Sequence, residues 1–168
     1  ECIKSVKHLV KEKKVLDCCA APGGKSFLLS SFGCEVTSLD NNEDQINKFY
    51  ENTNRLNLKL KIQEDNFLTY QPIEKFDCIL LDAPCSSLGT FRRNPDVSFK
   101  IKEMALRDKQ ILQLEMLEKA SSLVSENGII IYMVCSFHSI ETIEVIDKFL
   151  KKNIDFNTIN LKSDKLLK

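Results

Sequence analysis

Short apolar runs alternate along the chain with longer segments in which apolar and polar residues mix. The runs are almost continuously apolar, which is typical of strands buried on both faces of a sheet. They predict strands at residues 15–19, 35–39, 59–63, 76–81 and 129–134, with a sixth at 155–161. Asn127 and Gly128 predict a turn just before the fifth strand.

The segments between these runs predict helices, because their apolar residues recur at the spacing of one helix face. The predicted helices cover residues 4–14, 25–31, 43–56, 103–124 and 139–151. Gly33 suits the end of the second helix, and Asn41 or Asn42 suits the start of the third. Residues 82–96 contain two prolines and a glycine and predict a long loop.

The alternation of strands and helices predicts an α/β, Rossmann-like fold, with a mainly parallel sheet and helices on both faces. No repeat or linker divides the chain, so residues 1–168 are expected to form a single domain. Ligands of such sheets bind beyond the carboxyl ends of the strands. The chemically distinctive residues follow five of the predicted strands: residues 20–25, Asp40, Asp65, residues 82–86 and the pair Cys135 and Ser136.

Charge and composition exclude several classes of protein. Lys and Arg number 24, as do Asp and Glu, so the formal net charge is zero and the strongly basic signature of a self-sufficient nucleic-acid binder is absent. Arg92 and Arg93 still form a local basic pair. No apolar run is long enough for a membrane span, and nothing resembles a signal peptide. Because the first residue is Glu1, we expect the chain to be part of a longer protein.

Seven cysteines and two histidines occur, with no C-x-x-C pair. This pattern disfavours a zinc site or a disulfide framework and fits a reducing, intracellular setting. Five cysteines are expected to be small packing residues: Cys2, Cys18, Cys19, Cys34 and Cys78. Cys85 and Cys135 differ from these because both are predicted to follow strands directly.

The segment 20–25, Ala-Ala-Pro-Gly-Gly-Lys, joins the first predicted strand to a helix. Its glycines allow a close approach of backbone and ligand, and the helix start offers free N–H donors. The segment matches neither the dinucleotide-binding pattern nor the phosphate loop of nucleotide triphosphatases. It suits the zwitterionic tail of S-adenosylmethionine, although a plain strand–helix turn is the alternative.

Two acidic residues at strand ends could complete a cofactor site. Asp40 stands where a carboxylate accepts hydrogen bonds from ribose hydroxyls, or it could instead cap the following helix. Asp65 could hold an adenine amino group. The candidate cofactor-binding residues are Cys19, Ala20, Ala21, Pro22, Gly23, Gly24, Lys25, Asp40, Asp65 and Asp82.

Asp82-Ala83-Pro84-Cys85 places a carboxylate and a thiol on one proline-stiffened turn. Together with two other segments it resembles the successive motifs of RNA 5-methylcytosine methyltransferases. These segments read VLDCCAAPGGKS, DAPCSSLGTFRRNPD and YMVCS. The likeness runs from about Val15 to Glu144 and is greatest to the bacterial ribosomal Sun/Fmu (RsmB-like) type, and looser to the NOL1/NOP2/NSUN groups.

The resemblance implies a class I methyltransferase that uses S-adenosylmethionine and acts on RNA, most closely ribosomal RNA. It implies that Cys135 is the nucleophile and that Cys85 assists product release. Asp82 would contact the cytosine ring, and Lys25 would lie beside cofactor and base. Residues 92–94, Arg-Arg-Asn, match the family's RNA-contacting and loop-ordering stretch.

The chemistry of cytosine explains why two thiols and a carboxylate are needed. Carbon-5 is a poor nucleophile until a thiolate adds to carbon-6, which makes carbon-5 enamine-like and able to attack a methyl sulfonium. A group such as Asp82 must then share a proton with ring nitrogen-3. Lys25 and the helix after Cys135 are candidate sources for a lowered thiol pKa. For both cysteines the alternative is an inert, buried thiol.

The sequence departs from the family pattern at two places near Cys135. Val134 replaces the usual threonine, and residues 141–143 keep only the first acid, Glu141, of the usual Glu-Asn-Glu. By the same resemblance, we expect the chain to begin after most of the family's upstream segment and to lack its last strand, which would leave one sheet edge open.

Three other functions remain open on the sequence. A transfer-RNA cytosine-5 methyltransferase would share these motifs. An amino-group methyltransferase would favour Asp/Asn-Pro-Pro-aromatic after the fourth strand, which this chain lacks. A non-catalytic cofactor- or RNA-binding module is the third. We expect RNA as partner, neither membrane nor metal, and a cytoplasmic location, or a nucleolar or organellar one in a eukaryote; the oligomeric state is not predicted.

Overall fold

A computed structural model describes residues 2–92, 94 and 103–161. Five strands form one sheet: β1 (Lys14–Asp17), β2 (Glu35–Asp40), β3 (Ile62–Glu64), β4 (Phe76–Asp82) and β5 (Val124–Met133). Their order is β3-β2-β1-β4-β5, and all neighbouring pairs are parallel. The strand order reverses between β1 and β4, so a crevice for ligands is expected at the carboxyl ends of these two strands.

Six helices are described, together with two short 3₁₀ turns at Leu88–Thr90 and Ser139–Glu141. The helices are α1 (Cys2–Ser5), α2 (Lys7–Val10), α3 (Gly24–Ser31), α4 (Glu43–Arg55), α5 (Glu103–Leu123) and α6 (Ile143–Lys152). None of the helices in this part of the chain is long and apolar enough to cross a membrane.

The sheet is buried on both faces, as its continuous apolar strands predict. Leu16, Ile79 and Leu81 point to the face covered by α5 and α6, where Leu117 and Phe149 join one core. Successive strand residues point to opposite faces. Cys78 and Leu80 therefore lie on the other face, where they pack with Val10 and Leu29 of α2 and α3. The predicted α/β fold, with helices on both faces of a parallel sheet, is confirmed.

The predicted helix at 4–14 is wrong in length. The structure has two short helices, α1 and α2, and the chain then enters β1 at Lys14. Val6 leaves helical geometry between them, with φ −98° and ψ 6°. Glu12 has a positive φ of 59°. Ile3, Val6 and Val10 are nevertheless all buried, so the apolar face expected from the sequence is kept across the break.

The predicted sixth strand at 155–161 is also wrong, since none of these residues joins the sheet. Phe156 packs edge-on against Phe149 of α6, with ring centroids 5.4 Å apart. Ile159 and Leu161 stay exposed, so the segment lacks the alternating burial that fixes a strand's register. Among the described residues, β5 is therefore one edge strand of the sheet, and β3 is the other.

Further boundaries differ from the sequence prediction. The third strand, predicted at 59–63, is the shorter β3 (Ile62–Glu64). The helix predicted at 139–151 is divided into the 3₁₀ turn Ser139–Glu141 and α6, because Thr142 adopts φ −120° and ψ −96°. The turn at 127–128 lies inside β5, where Asn127 has φ 60° and the pairing with β4 is irregular.

The core of the fold gives a direct test of stability. Leu80 in β4 is fully buried, so Leu80→Ala is expected to lower the free energy of unfolding by about 2–5 kcal/mol. Ile73→Ala, at a residue with 104% relative exposure, is the control and should change it by less than about 0.5 kcal/mol. Urea unfolding measures both, and equal small effects would contradict this placement of the core.

Candidate active site

The strand ends bring the predicted site residues to one edge of the sheet. β1 ends at Asp17, β2 at Asp40, β4 at Asp82 and β5 at Met133. Because the strands are parallel, their carboxyl ends share this edge, and the loops that follow meet above it. Three acids, Asp17, Asp40 and Asp82, are thus the last residues of three adjacent strands.

The glycine segment turns sharply between β1 and α3. Gly23 has φ 107°, a conformation that side chains rarely adopt, and a Cβ built there would lie 2.1 Å from the Phe27 ring. Gly24 begins α3, and a Cβ there would have no heavy atom within 4 Å. The loop therefore needs glycine at 23 for its own path, whereas position 24 borders open space in which a ligand can approach the backbone.

Asp40 supports this loop instead of capping the following helix. Its two carboxylate oxygens accept hydrogen bonds from Ala21 N and Asn42 N, each at 3.0 Å. The cap of α4 is Asn42, whose side chain accepts from Gln45 N at 3.0 Å, so capping by Asp40 is wrong. Each Asp40 oxygen keeps a free lone pair, as a ribose contact requires.

Asp65 lies next to Asp40 across the β2–β3 pair. Its backbone N–H donates to Asp40 O at 3.0 Å, and its carboxylate accepts from Asn66 N at 2.7 Å. Cys19 is half-buried between the acids, and burial raises the pKa of its thiol to about 12. The Cys19 side chain is therefore uncharged at physiological pH.

Asp17 was not singled out from the sequence. It is fully buried, accepts from Ser26 Oγ at 2.7 Å, and is linked through Ser26 to Ser38. Its other oxygen, Oδ1, has no hydrogen-bond partner among the described residues. The signal that could have found it is its position at the end of the first strand, which matches Asp40 and Asp82.

Lys25 and Asp82 form the ion pair of the site. Lys25 Nζ lies 2.5 Å from Asp82 Oδ2, and both side chains are about one-third exposed. Lys25 comes from the first turn of α3 and Asp82 from the end of β4, so the pair joins the glycine loop to the turn that carries Cys85. The sequence placed both residues at the site but did not predict their contact.

The structure brings Cys85 and Cys135 together from adjacent loops. Their sulfur atoms are 3.0 Å apart, and Cys135 N donates to Cys85 Sγ at 3.2 Å. The loop after Cys85 returns to the same place, since Ser87 Oγ lies 3.2 Å from Cys135 Sγ and Gly89 N donates to Cys135 O at 2.9 Å. Cys135 is exposed and Cys85 is half-buried, so neither is an inert core thiol.

The expected sources of a lowered thiol pKa do not reach the sulfurs. Lys25 is paired with Asp82, and the residues after Cys135 form a 3₁₀ turn well before α6 begins at Ile143. Burial, together with the hydrogen bond to Cys135, raises the pKa of Cys85 to about 11. Cys85 is therefore a protonated thiol at neutral pH, able to donate its proton in a hydrogen bond to Cys135.

The remaining cysteines divide as follows. Cys18, Cys34 and Cys78 are buried packing residues, as predicted. Cys2 is exposed, so the packing role predicted for it is wrong. Within residues 2–92, 94 and 103–161, no cluster of three His, Cys, Asp or Glu residues could hold a metal ion.

The predicted RNA-contacting stretch is described only in part. Arg92 is exposed, and Asn94 N donates to Thr90 O at 2.9 Å, which orders the loop behind Gly89. Arg93 lies outside the described residues. His138, for which no catalytic role is predicted, accepts from Ile140 N at 3.2 Å and begins the 3₁₀ turn.

The residues present fit S-adenosylmethionine. Gly24 borders open space at the start of α3, where backbone N–H groups and Lys25 can hold a carboxylate. Asp40 retains acceptor capacity for ribose hydroxyls, and the unpaired oxygen of Asp17 lies beneath the same loop. These features lie at the carboxyl ends of β1 and β2 and at the start of α3, on the sheet edge where Asp82 ends β4.

The buried Asp17 predicts a pH dependence of stability. Burial raises its pKa from 3.8 to about 6, so the folded chain binds this proton more tightly than the unfolded chain. The stabilisation is complete below pH 4 and is lost as the pH rises through 6. Relative to Asp17→Asn, wild type should lose about 1 kcal/mol between pH 5 and pH 7.5. Urea unfolding at both values measures this, and parallel pH profiles would contradict it.

Known proteins with a similar sequence are ribosomal RNA methyltransferases. The family model described as 16S rRNA methyltransferase RsmB/F matches residues 5–167. Ribosomal RNA small subunit methyltransferase B of Photorhabdus laumondii is 34% identical over 160 residues, which cover 92% of this chain and 37% of that protein. The probable enzyme of the same name in Bacillus subtilis is 36% identical over 154 residues, covering 86% and 34%.

Solved structures share the fold. A methyltransferase homolog protein from Pyrococcus horikoshii has 28% identity and a TM-score of 0.73 over 89% of this chain and 48% of its own. NSun6 from the same organism, solved with SFG, has a TM-score of 0.80 at 24% identity, covering 89% and 40%, and at that identity supports the fold alone. The chain spans about a third of the length of the curated relatives it matches. These matches confirm the resemblance and the cofactor: the chain belongs to the RsmB/F family of 16S rRNA methyltransferases, which use S-adenosylmethionine.

Proposed function

We propose that this chain is the catalytic part of an enzyme that methylates carbon-5 of a cytosine in RNA, in particular small-subunit ribosomal RNA, through a covalent bond to Cys135. The observation that carries the proposal is the pair of sulfurs 3.0 Å apart, on loops that follow two adjacent strands. Beside them, Asp82 ends the first of these strands and holds Lys25 from the cofactor loop. Substrate RNA of this kind implies a cytoplasmic location.

The cofactor would lie across the crevice between β1 and β4. The loop of Cys19, Ala20, Ala21, Pro22, Gly23 and Gly24 would hold its amino-acid tail. Asp40 would accept from the ribose, Asp65 would face the adenine, and Lys25 and Asp82 would border the sulfonium. When bound, S-adenosylmethionine supplies the methyl group as an electrophile, and the sulfur keeps the electron pair of the broken bond.

Cys135 would act first, as the nucleophile. Its thiolate forms a bond to carbon-6, and the π electrons of the carbon-5–carbon-6 double bond become available at carbon-5. Cys85 keeps its own proton at neutral pH, because burial raises its pKa to about 11. A Cys85 thiol 3.0 Å away can donate a hydrogen bond to the attacking sulfur of Cys135 and so hold it in place.

Asp82 and Lys25 would control the proton on ring nitrogen-3. Addition at carbon-6 places negative charge on the pyrimidine, which a hydrogen bond or a proton at nitrogen-3 must stabilise. The Lys25 ammonium lies 2.5 Å from Asp82 Oδ2 and so holds this carboxylate at the end of β4. The pair would stabilise the added negative charge through hydrogen bonds to the ring, on the side of nitrogen-3.

Cys85 would complete the reaction by helping product release. Once carbon-5 carries the methyl group, its remaining proton must leave so that the double bond re-forms and the carbon-6–sulfur bond breaks. Cys85 lies 3.0 Å from the Cys135 sulfur, so it would give its thiol proton to that sulfur as the carbon-6–sulfur bond breaks, and would take up the carbon-5 proton in its place. Cys135 then leaves as a thiol, and Cys85 ends the step protonated as it began.

The roles of the two cysteines can be separated with RNA that contains 5-fluorocytosine, whose fluorine cannot leave as a proton does. In the presence of S-adenosylmethionine, the full protein that carries this chain should form a complex that survives denaturing electrophoresis. Cys135→Ala should abolish that complex, because no sulfur remains to add to carbon-6. Cys85→Ala should still form it.

Cys2→Ala is the matched control, since Cys2 is the other exposed cysteine among the described residues and is given no part in the reaction. It should behave as wild type. A complex that persists in Cys135→Ala would overturn the assignment of the nucleophile. If the wild-type protein methylates RNA without any trapped complex, amino-group methylation is favoured. A protein that binds RNA or cofactor but neither traps nor methylates would be a non-catalytic module.

A further inference from the structure

We propose that Gln113 and Glu141 form a buried positioning pair that holds the Cys85 turn in place and thereby sets the rate of product release. The inference rests on the release role proposed for Cys85. It is carried by hydrogen bonds to both residues that flank Cys85, and these come from α5 and from the 3₁₀ turn before α6.

Glu141 holds the residue that follows Cys85. Its side chain is fully buried, and Oε1 accepts from Ser86 N at 2.8 Å. Oε2 accepts from Ser86 Oγ in a second, short hydrogen bond. Both carboxylate oxygens are therefore committed to Ser86, which fixes its backbone as well as its side chain.

Gln113 holds the residue that precedes Cys85. It projects from α5, is fully buried, and donates from Nε2 to Pro84 O at 3.0 Å. The same Nε2 lies 3.2 Å from Glu141 Oε1, so the two buried side chains also contact each other. Cys85 is thus held at both of its peptide neighbours by side chains that are themselves fixed in the core.

The pair also reaches the loop of the nucleophile. Ser86 Oγ lies 3.2 Å from Ser136 Oγ, next to Cys135. Tyr132 of β5 donates its hydroxyl to Glu141 O at 2.8 Å, which fixes the 3₁₀ turn against the sheet. Glu141 therefore couples the turn after β4 to the loop after β5, the two segments whose sulfurs face each other.

Burying a carboxylate at this position costs free energy, so its presence indicates that its geometry is needed. Burial alone would raise the pKa of Glu141, but hydrogen bonds from Ser136, Ser86 and Gln113 outweigh burial and lower it. These donors are neutral groups, so the buried charge is stabilised by dipoles alone. Two acceptor oxygens can receive both the N–H and the hydroxyl of Ser86, whereas an amide offers one acceptor and one donor group.

The contacts of Glu141 differ from those of Glu144, one turn further along. Glu144 pairs with Arg107 at 3.2 Å and accepts from Ser139 Oγ at 3.0 Å, so it joins α6 to α5 without touching either cysteine turn. Glu144→Gln is therefore a matched control: the same change, in the same segment, away from Cys85.

The test follows the covalent complex formed on ordinary, unfluorinated cytosine RNA with S-adenosylmethionine, using the full protein that carries this chain. Cys85→Ala should accumulate a long-lived complex, because release is blocked. Glu141→Gln should lengthen the lifetime of the complex about tenfold or more, since a small displacement of a reacting group is costly. Methyl transfer in the first turnover should stay within about threefold of wild type. Glu144→Gln should match wild type in both measurements.

The double variant separates positioning from general loss of structure. If Glu141 acts through Cys85, adding Glu141→Gln to Cys85→Ala should not lengthen the lifetime further. If Glu141→Gln does not unfold cooperatively on heating, Gln113→Met carries the same test, because it removes the bond to Pro84 O and introduces no charge.

Each outcome has a distinct meaning. No long-lived complex in Cys85→Ala would overturn the release role and, with it, this inference. A long-lived complex in Cys85→Ala but a normal lifetime in Glu141→Gln would overturn the positioning pair alone. A loss of first-turnover methylation in Glu141→Gln equal to the loss in release would also overturn it, because Glu141 would then serve the whole site.

Discussion

The parallel pairing of β4 with β5 is the constraint on which the rest of this site depends. Hydrogen bonds between the strands place Asp82 opposite Met133, and Ala83 N extends the ladder by donating to Met133 O at 2.9 Å. From that register, two residues separate Asp82 from Cys85, and one residue separates Met133 from Cys135. The two sulfurs meet at 3.0 Å because two loops of nearly equal length leave adjacent, aligned strand ends.

Hydrogen bonds to polar side chains then fix the positions of the loops around these sulfurs. The acids that end β1, β2 and β4 each bind a neighbouring segment: Asp17 binds Ser26 in α3, Asp40 holds the glycine loop, and Asp82 holds Lys25. Glu141 does the same for the turn after Cys85. Each carboxylate costs stability when it is removed from water, and each restricts one loop that borders the crevice. The site is thus organised by carboxylates that fix the loops around it.

Much of this could be read from the sequence, since continuous apolar runs mark buried parallel strands and the residues after them share one sheet edge. Two contacts could not be predicted from the sequence, because both depend on how helices pack on the sheet. They are the ion pair of Lys25 with Asp82 and the hydrogen bond from Gln113 to Pro84 O. The sequence also did not predict the break at Val6 or the failure of residues 155–161 to join the sheet, for a similar reason. Apolar periodicity does not record which residues find a partner in the core, as the exposed Ile159 illustrates.

The central claim is that the methyl group replaces the hydrogen on carbon-5 of a cytosine. The most direct measurement uses small-subunit ribosomal RNA labelled with tritium at carbon-5 of cytosine, incubated with S-adenosylmethionine and the full protein that carries this chain. The account predicts that one tritium enters water for each methyl group incorporated into RNA. Methylation with the tritium retained on the base would contradict it, because the methyl group would then lie on a nitrogen or oxygen and a cysteine adduct would have no purpose.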